Sequence, residues 1–291
     1  MNQFKGIFTA LLTPFDKEGR VNYSALEKLI EHSLQMGVRG FYVTGSTAEV
    51  FLLTEEERRT LMKATAEIVK GRGTLIAHVG SVSTDASVAL AKEAERLGYD
   101  AVSAVAPFYY KFSFGEIKAH YFRIAESCSL PMIVYNFPGF SGVQLSVAEI
   151  SEFLKDDRFL GVKHTSTDYF ALRQFKTAFP EKMIYNGYDE TFLAGLSMGA
   201  DGAIGSTFNF MADKFVRLES LFRQQKMTEA MALQEEIDRI IAALCRCGVM
   251  QGEKAILRAQ GIDLGEARPP FGKLSAEAER ELLDTVLPLL G

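Results

Sequence analysis

The chain has 291 residues, a length that suits one (β/α)₈ barrel of about 250 residues with an addition, or two ordinary domains. It is 47% hydrophobic and 24% charged, with a net charge of −5 and no basic run, so neither nucleic acid nor an anionic membrane is expected as main partner. Pro14 breaks the first apolar stretch too early for a signal peptide, and no run approaches the roughly 20 apolar residues of a membrane span.

Three cysteines (Cys128, Cys245 and Cys247) form no CxxC pair, which fits reduced thiols of a cytoplasmic protein. Four scattered histidines (His32, His78, His120 and His164) lack HxH or HExxH spacing, so no metal site is expected.

Short apolar runs alternate with longer helical patterns along the chain. Strands are predicted over Ile7–Leu12, Gly40–Thr44, Leu75–Val79, Ala101–Ala106, Met132–Asn136, Leu160–His164, Met183–Asn186 and Gly202–Gly205. Runs this apolar suit parallel strands covered by helices on the outer side. Thr54 with Glu57, Ser113 with Glu116, and Ser146 with Glu149 each fit a capping box. Gly37, Gly98 and Gly199 each close a helix just before a strand. Read together, Gly199, Gly202 and Gly205 are helix-closing and strand-opening glycines and lack the spacing of a dinucleotide loop. Eight βα units in register imply an α/β fold, a (β/α)₈ TIM barrel. After Ser206 no strand is predicted. The barrel is expected over residues 1–222, with a C-terminal helical extension over 223–291, including a helix at Thr228–Ala243, packed on the barrel or on another subunit.

Active sites of such barrels lie at the C-terminal strand ends. Those ends read Thr44-Gly45-Ser46-Thr47, Tyr135-Asn136, Lys163-His164-Thr165, Gly187-Tyr188-Asp189-Glu190 and Gly205-Ser206-Thr207, the most polar residues of their strands. Side-chain alternation puts Lys163 and Thr165 on one face, Val162 and His164 on the other. An inward lysine is desolvated, which frees neutral amine to attack a carbonyl; the competing reading is a lysine paired with a barrel carboxylate. Tyr135 shares the inward face and can pass protons beside Lys163, or simply pack. Gly45-Ser46-Thr47 can hold a substrate carboxylate through hydroxyls and exposed N–H groups, but is also ordinary turn chemistry. Asp189 and Glu190 can bind sugar hydroxyls or begin a helix. His164 is expected to face outward as a hydrogen-bonded histidine, and Cys245 and Cys247 to pack. The residues alone reach an aldolase-type barrel without a substrate.

Longer stretches add a resemblance. Ala10-Leu11-Leu12-Thr13-Pro14-Phe15, Ile76-Ala77-His78-Val79-Gly80, Pro107-Phe108-Tyr109-Tyr110-Lys111-Phe112, Tyr185-Asn186-Gly187-Tyr188-Asp189-Glu190 and Gly202-Ala203-Ile204-Gly205-Ser206-Thr207-Phe208-Asn209 resemble the pyruvate-dependent class I aldolase superfamily that contains dihydrodipicolinate synthase and N-acetylneuraminate lyase. The resemblance runs over essentially the whole chain and is nearer the lyase branch. It implies that Lys163 forms a Schiff base with pyruvate, Tyr135 shuttles the proton, and Ser46 and Thr47 hold the pyruvate carboxylate. It also implies that Tyr109 crosses a subunit interface of a homotetramer to support the relay, and that Thr165, Gly187, Asp189, Glu190 and Ser206 contact the sugar chain.

The implied reaction is reversible cleavage of the sialic acid N-acetylneuraminate to N-acetylmannosamine and pyruvate, with no metal or organic cofactor. A sister aldolase on a 2-keto-3-deoxy sugar acid and a non-catalytic sugar-acid-binding barrel are the competing readings. Dihydrodipicolinate synthase is disfavoured because Phe140 stands where the synthase has an arginine for a second carboxylate. One departure is Ala48, where the family reads glycine in G-S-T-G-E; were φ positive there, alanine would strain the carboxylate loop.

Overall fold

The computed structural model describes residues 2–290. Strands β1 (Gly6–Ala10), β2 (Gly40–Val43), β3 (Thr74–His78), β4 (Ala101–Val105), β5 (Met132–Asn136), β6 (Phe159–His164), β7 (Met183–Asn186) and β8 (Gly202–Gly205) close into a barrel in sequential order. Between them run α1 (Tyr23–Gln35), α2 (Glu55–Val69), α3 (Thr84–Arg96), α4 (Phe114–Ala125), the short α5 (Pro138–Ser141), α6 (Val147–Leu154), α7 (Tyr169–Ala178) and α8 (Phe192–Ser197). Four further helices follow β8: α9 (Phe208–Arg223), α10 (Met227–Cys247), α11 (Val249–Ala259) and α12 (Ala276–Leu290). The (β/α)₈ barrel with a C-terminal helical extension is therefore present. No helix among the described residues is long and apolar enough to cross a membrane.

The three capping boxes form as expected, each with reciprocal side-chain and backbone bonds. Gly37, Gly98 and Gly199 close their helices at positive φ (87°, 77° and 99°), a region that costs glycine no Cβ clash. The predicted strands overrun at the ends of β1 to β4. Leu11, Leu12, Val79 and Ala106 are as buried as their strands, so their apolarity marks the core without marking where the ladder stops. At the end of β2 the ladder stops at Thr44, which turns into the left-handed region with φ 57°.

Two compact units can be distinguished. One contains the chain up to Gly6 and Thr74–Ile204; the other contains Ile7–Gly73 and the chain from Gly205 onward. In the first, β5, β6 and β7 pair so that Tyr135, Lys163 and Tyr185 share one row, and Asn136, His164 and Asn186 the next. An aromatic cluster of Tyr121, Phe122, Phe153 and Phe159 fills the space between α4, α6 and these strands. In the second, α10 packs along α9 and α12, which buries the apolar stripe of a 21-residue helix.

β8 meets the start of β1 where Gly6 N–H donates to Asp201 O at 3.1 Å. A Cβ on Gly202 would lie 2.0 Å from Gly6 O, and backbone on that side cannot rotate away. Gly202→Ala is therefore expected to cost at least ~4 kcal/mol, visible as a fall in melting temperature of roughly 8 °C or more. A melting temperature within 2 °C or so of the parent would refute that account of closure.

Candidate active site

In the first unit, Lys163 ends β6 as a buried lysine among aromatic side chains. Its side chain is only 4% exposed, and Nζ sits 4.2 Å from the centre of the Tyr135 ring. The alternation expected from sequence holds. His164, on the opposite face, packs edge-on against Phe175 of α7, and its Nδ1 accepts from Asn136 Nδ2 at 3.0 Å. Its Nε2 then carries the proton and donates to Asp168 O at 3.0 Å, a tautomer that the network requires. His164 is thus a hydrogen-bonded packing residue.

Burial removes the water that would stabilise an ammonium, and this pushes the Lys163 amine down to about 7, while the negative charge of Asp189 pulls the other way. Near neutral pH a large fraction of Lys163 is then the free amine, which can attack a carbonyl carbon.

Tyr135 is 3% exposed, with its ring stacked on Phe137 (5.6 Å) and met edge-on by His78 (6.0 Å). Phe137 stacks in turn on Phe140 (4.3 Å) and meets Tyr188 edge-on. A run of rings therefore leads from Tyr135 to Phe140, which is 72% exposed. Sequence reasoning did not single out Phe137 or His78 as neighbours of Tyr135, nor Tyr188 as a neighbour of Phe137; His78 and Tyr188 come from other strand ends, and the two-residue spacing of Phe137 does not by itself specify ring stacking.

Thr165 follows β6, its N–H bonded to Asn136 O at 2.9 Å and its buried hydroxyl without a hydrogen-bond partner. A Cβ on Gly187 would lie 1.9 Å from that hydroxyl oxygen, so glycine there leaves room for Thr165 to stand as it does. An unsatisfied buried hydroxyl is costly and suits a group that completes its bonds with a ligand. Asp189 is buried and opens a 3-10 turn, Asp189–Thr191, that runs into α8; the helix-start reading therefore holds, alongside its charge interaction with Lys163. Glu190 is exposed. Tyr109 is 85% exposed, with φ 79°, and stacks edge-on with Tyr110.

In the second unit, Ser46, Thr47 and Ala48 form a 3-10 turn directly after β2, with Ser46 and Thr47 half-buried. Ala48 adopts no positive φ, so the strain considered for alanine does not arise; Glu49 takes the left-handed conformation instead, with φ 57° and ψ 33°. Ser206, half-buried after β8, is held through its carbonyl by Asn209 N–H (3.1 Å) and Nδ2 (2.7 Å). Asn209 also bonds Ala10 O and Leu12 N–H, tying the end of β1 to the start of α9. Its only sequence signal was an amide in an otherwise apolar helix start. No group of three or more His, Cys, Asp or Glu among the described residues is placed to hold a metal ion.

The model of the dihydrodipicolinate synthetase family matches residues 3–287. The chain belongs to that family. It is 41% identical to N-acetylneuraminate lyase of Rhizobium meliloti over 288 residues, covering 99% of this chain and 96% of the relative. Among solved structures it resembles N-acetylneuraminate lyase of Fusobacterium nucleatum complexed with pyruvate, with a TM-score of 0.93, 35% identity and 98% of each chain covered. A catalytic lysine mutant of the Ruminococcus gnavus sialic acid aldolase gives a TM-score of 0.95 at 31% identity, covering 99% of this chain and 97% of that one.

Two outcomes follow from the Lys163 environment. Asp189 favours the ammonium, so Asp189→Asn should lower the Lys163 pKa further and move the acid limb of borohydride-trapped imine formation to lower pH. A limb that stays put or moves up would show that Asp189 does not act on Lys163. Stability follows the same proton. A lysine whose pKa falls from 10.5 to about 7 on folding weakens the fold fully below pH 7, and the cost fades as pH rises toward 10.5. Lys163→Met should accordingly stabilise the protein at pH 7 by roughly 4 kcal/mol, with most of the gain lost by about pH 10 in denaturant titrations.

Proposed function

We propose that this chain is a class I aldolase, a carbon–carbon lyase that reversibly cleaves N-acetylneuraminate to N-acetylmannosamine and pyruvate. The observation that carries the reading is the buried, low-pKa amine of Lys163 over the Tyr135 ring, in a chain 41% identical to a lyase of that name.

In this reading the free amine of Lys163 attacks C2 of the open-chain 2-oxo acid, and water leaves to give a protonated imine. Tyr135 takes the proton of the C4 hydroxyl. The C3–C4 bonding pair flows into the imine, the aldehyde of N-acetylmannosamine departs, and an enamine remains. Protonation at C3 and hydrolysis release pyruvate and return the amine. The iminium accepts the electrons, so no metal or organic cofactor is needed.

Ser46 and Thr47 hold the carboxylate in this scheme. The unsatisfied Thr165 hydroxyl, Gly187, Asp189, Glu190 and Ser206 receive the hydroxylated chain. The exposed Phe140 ring supports a sugar over a dicarboxylate, because it offers no guanidinium for a second carboxylate. Tyr109, exposed on one chain, would complete the proton relay of a neighbouring subunit in a cytoplasmic homotetramer.

Incubation with N-acetylneuraminate should release pyruvate, read by a coupled dehydrogenase. Lys163→Ala should reduce release to background, and Tyr135→Phe should slow it about 100-fold or more. Borohydride with pyruvate should add a reduced pyruvyl group to the peptide that contains Lys163. No release from N-acetylneuraminate, together with cleavage of a 2-keto-3-deoxy sugar acid, would favour the sister aldolase. An unmodified Lys163 would leave only a sugar-acid-binding barrel.

A further inference from the structure

Glu49 and Lys254 form an ion pair sealed from water in the second unit: Nζ to Oε1 is 2.8 Å, with side-chain exposures of 2% and 0% for lysine and glutamate. The partners are 205 residues apart in the chain, one just after the Ser46–Ala48 turn and the other in α11 of the extension. The second carboxylate oxygen of Glu49 accepts the backbone N–H of Arg268 at 2.6 Å. Both oxygens are therefore occupied by the extension.

The backbone of Glu49 is constrained as closely. Its N–H donates to Ser46 O at 3.0 Å and closes the turn from the left-handed conformation. From the other side, Thr13 Oγ1 donates to Ala48 O at 2.7 Å. Lys254 spends its remaining capacity on Glu266 O (3.1 Å) and the face of Phe15 (4.5 Å). Arg268 covers the same ring, and bonds Glu57 with two nitrogens as well as Leu52 O and Gly19 O.

Burying such a pair contributes little to stability compared with an apolar pair of the same shape; what it supplies is a defined geometry. Here that geometry belongs to a three-residue turn whose members are Ser46, Thr47 and Ala48. We propose that Glu49 and Lys254 are positioning residues for the 2-oxo acid carboxylate, and that the C-terminal extension acts on the reaction by holding the Ser46–Thr47 turn. The inference rests on the reading that this turn binds the carboxylate. The two residues act through the turn and do not touch substrate.

Reductive trapping of Lys163 with pyruvate and with acetone, which lacks a carboxylate, separates positioning from general support of the fold. Glu49→Gln leaves one acceptor oxygen where the carboxylate offers two, so Lys254 and the Arg268 N–H can no longer each have their own, and Lys254→Met removes the cation. Each, and the double variant that leaves no buried charge uncompensated, should lower trapping by pyruvate about tenfold or more, with acetone trapping within twofold of the parent. Lys254→Arg should retain most of the pyruvate trapping. Equal loss for both carbonyls, or unchanged pyruvate trapping in a double variant with native circular dichroism, would overturn the proposal. Should Glu49→Gln or Lys254→Met fail to fold, the double variant and Lys254→Arg still decide it. Ser46→Ala/Thr47→Ala serves as the separate check on the underlying reading. If that variant shows no pyruvate-selective loss, the carboxylate assignment fails. If it does and the Glu49 and Lys254 variants do not, only the positioning proposal fails.

Discussion

Desolvation of one amine, that of Lys163, is the constraint on which the proposed chemistry depends. A lysine that ends β6 facing inward has little water within reach, and its ammonium is penalised accordingly. The surroundings offset that penalty only partly. The Tyr135 ring offers a π face at 4.2 Å, and Asp189 contributes charge without holding the pKa in the ordinary lysine range. The parallel barrel makes this possible because both faces of every strand are covered, so a strand-end side chain can be polar and still dry.

The second buried lysine shows the opposite choice. Lys254 is also depressed by burial, yet it has a carboxylate at 2.8 Å and a carbonyl at 3.1 Å, which favour its charged form. One fold thus contains two buried lysines, and Lys254 is fastened in place by an ion pair. At Gly187 and Thr165, absence of a side chain at one position lets a hydroxyl at another remain buried with its bonding capacity open.

Much of the architecture was legible in the sequence. Eight apolar runs, three capping boxes and three helix-closing glycines are local signals, and each appears where its residues predict. The opposed faces of Lys163 and His164 follow from strand alternation alone. Strand ends were less legible, since Leu11, Leu12, Val79 and Ala106 stay buried after their ladders stop. The concern over Ala48 was settled by backbone geometry: the left-handed residue proved to be Glu49, one position later.

What the sequence by itself determined is therefore the set of elements, their order and the side each strand residue faces, because these depend on periodicities of two and 3.6 residues and on caps a few residues long. What only the tertiary structure decided is which groups meet. The Tyr135 ring under Lys163 Nζ depends on the register of β5 against β6, and the room for Thr165 on the loop after β7. The grip of Lys254 on Glu49 joins residues 205 positions apart. Contacts of that kind carry no local spacing, since they arise only when the chain has folded and excluded the water between them.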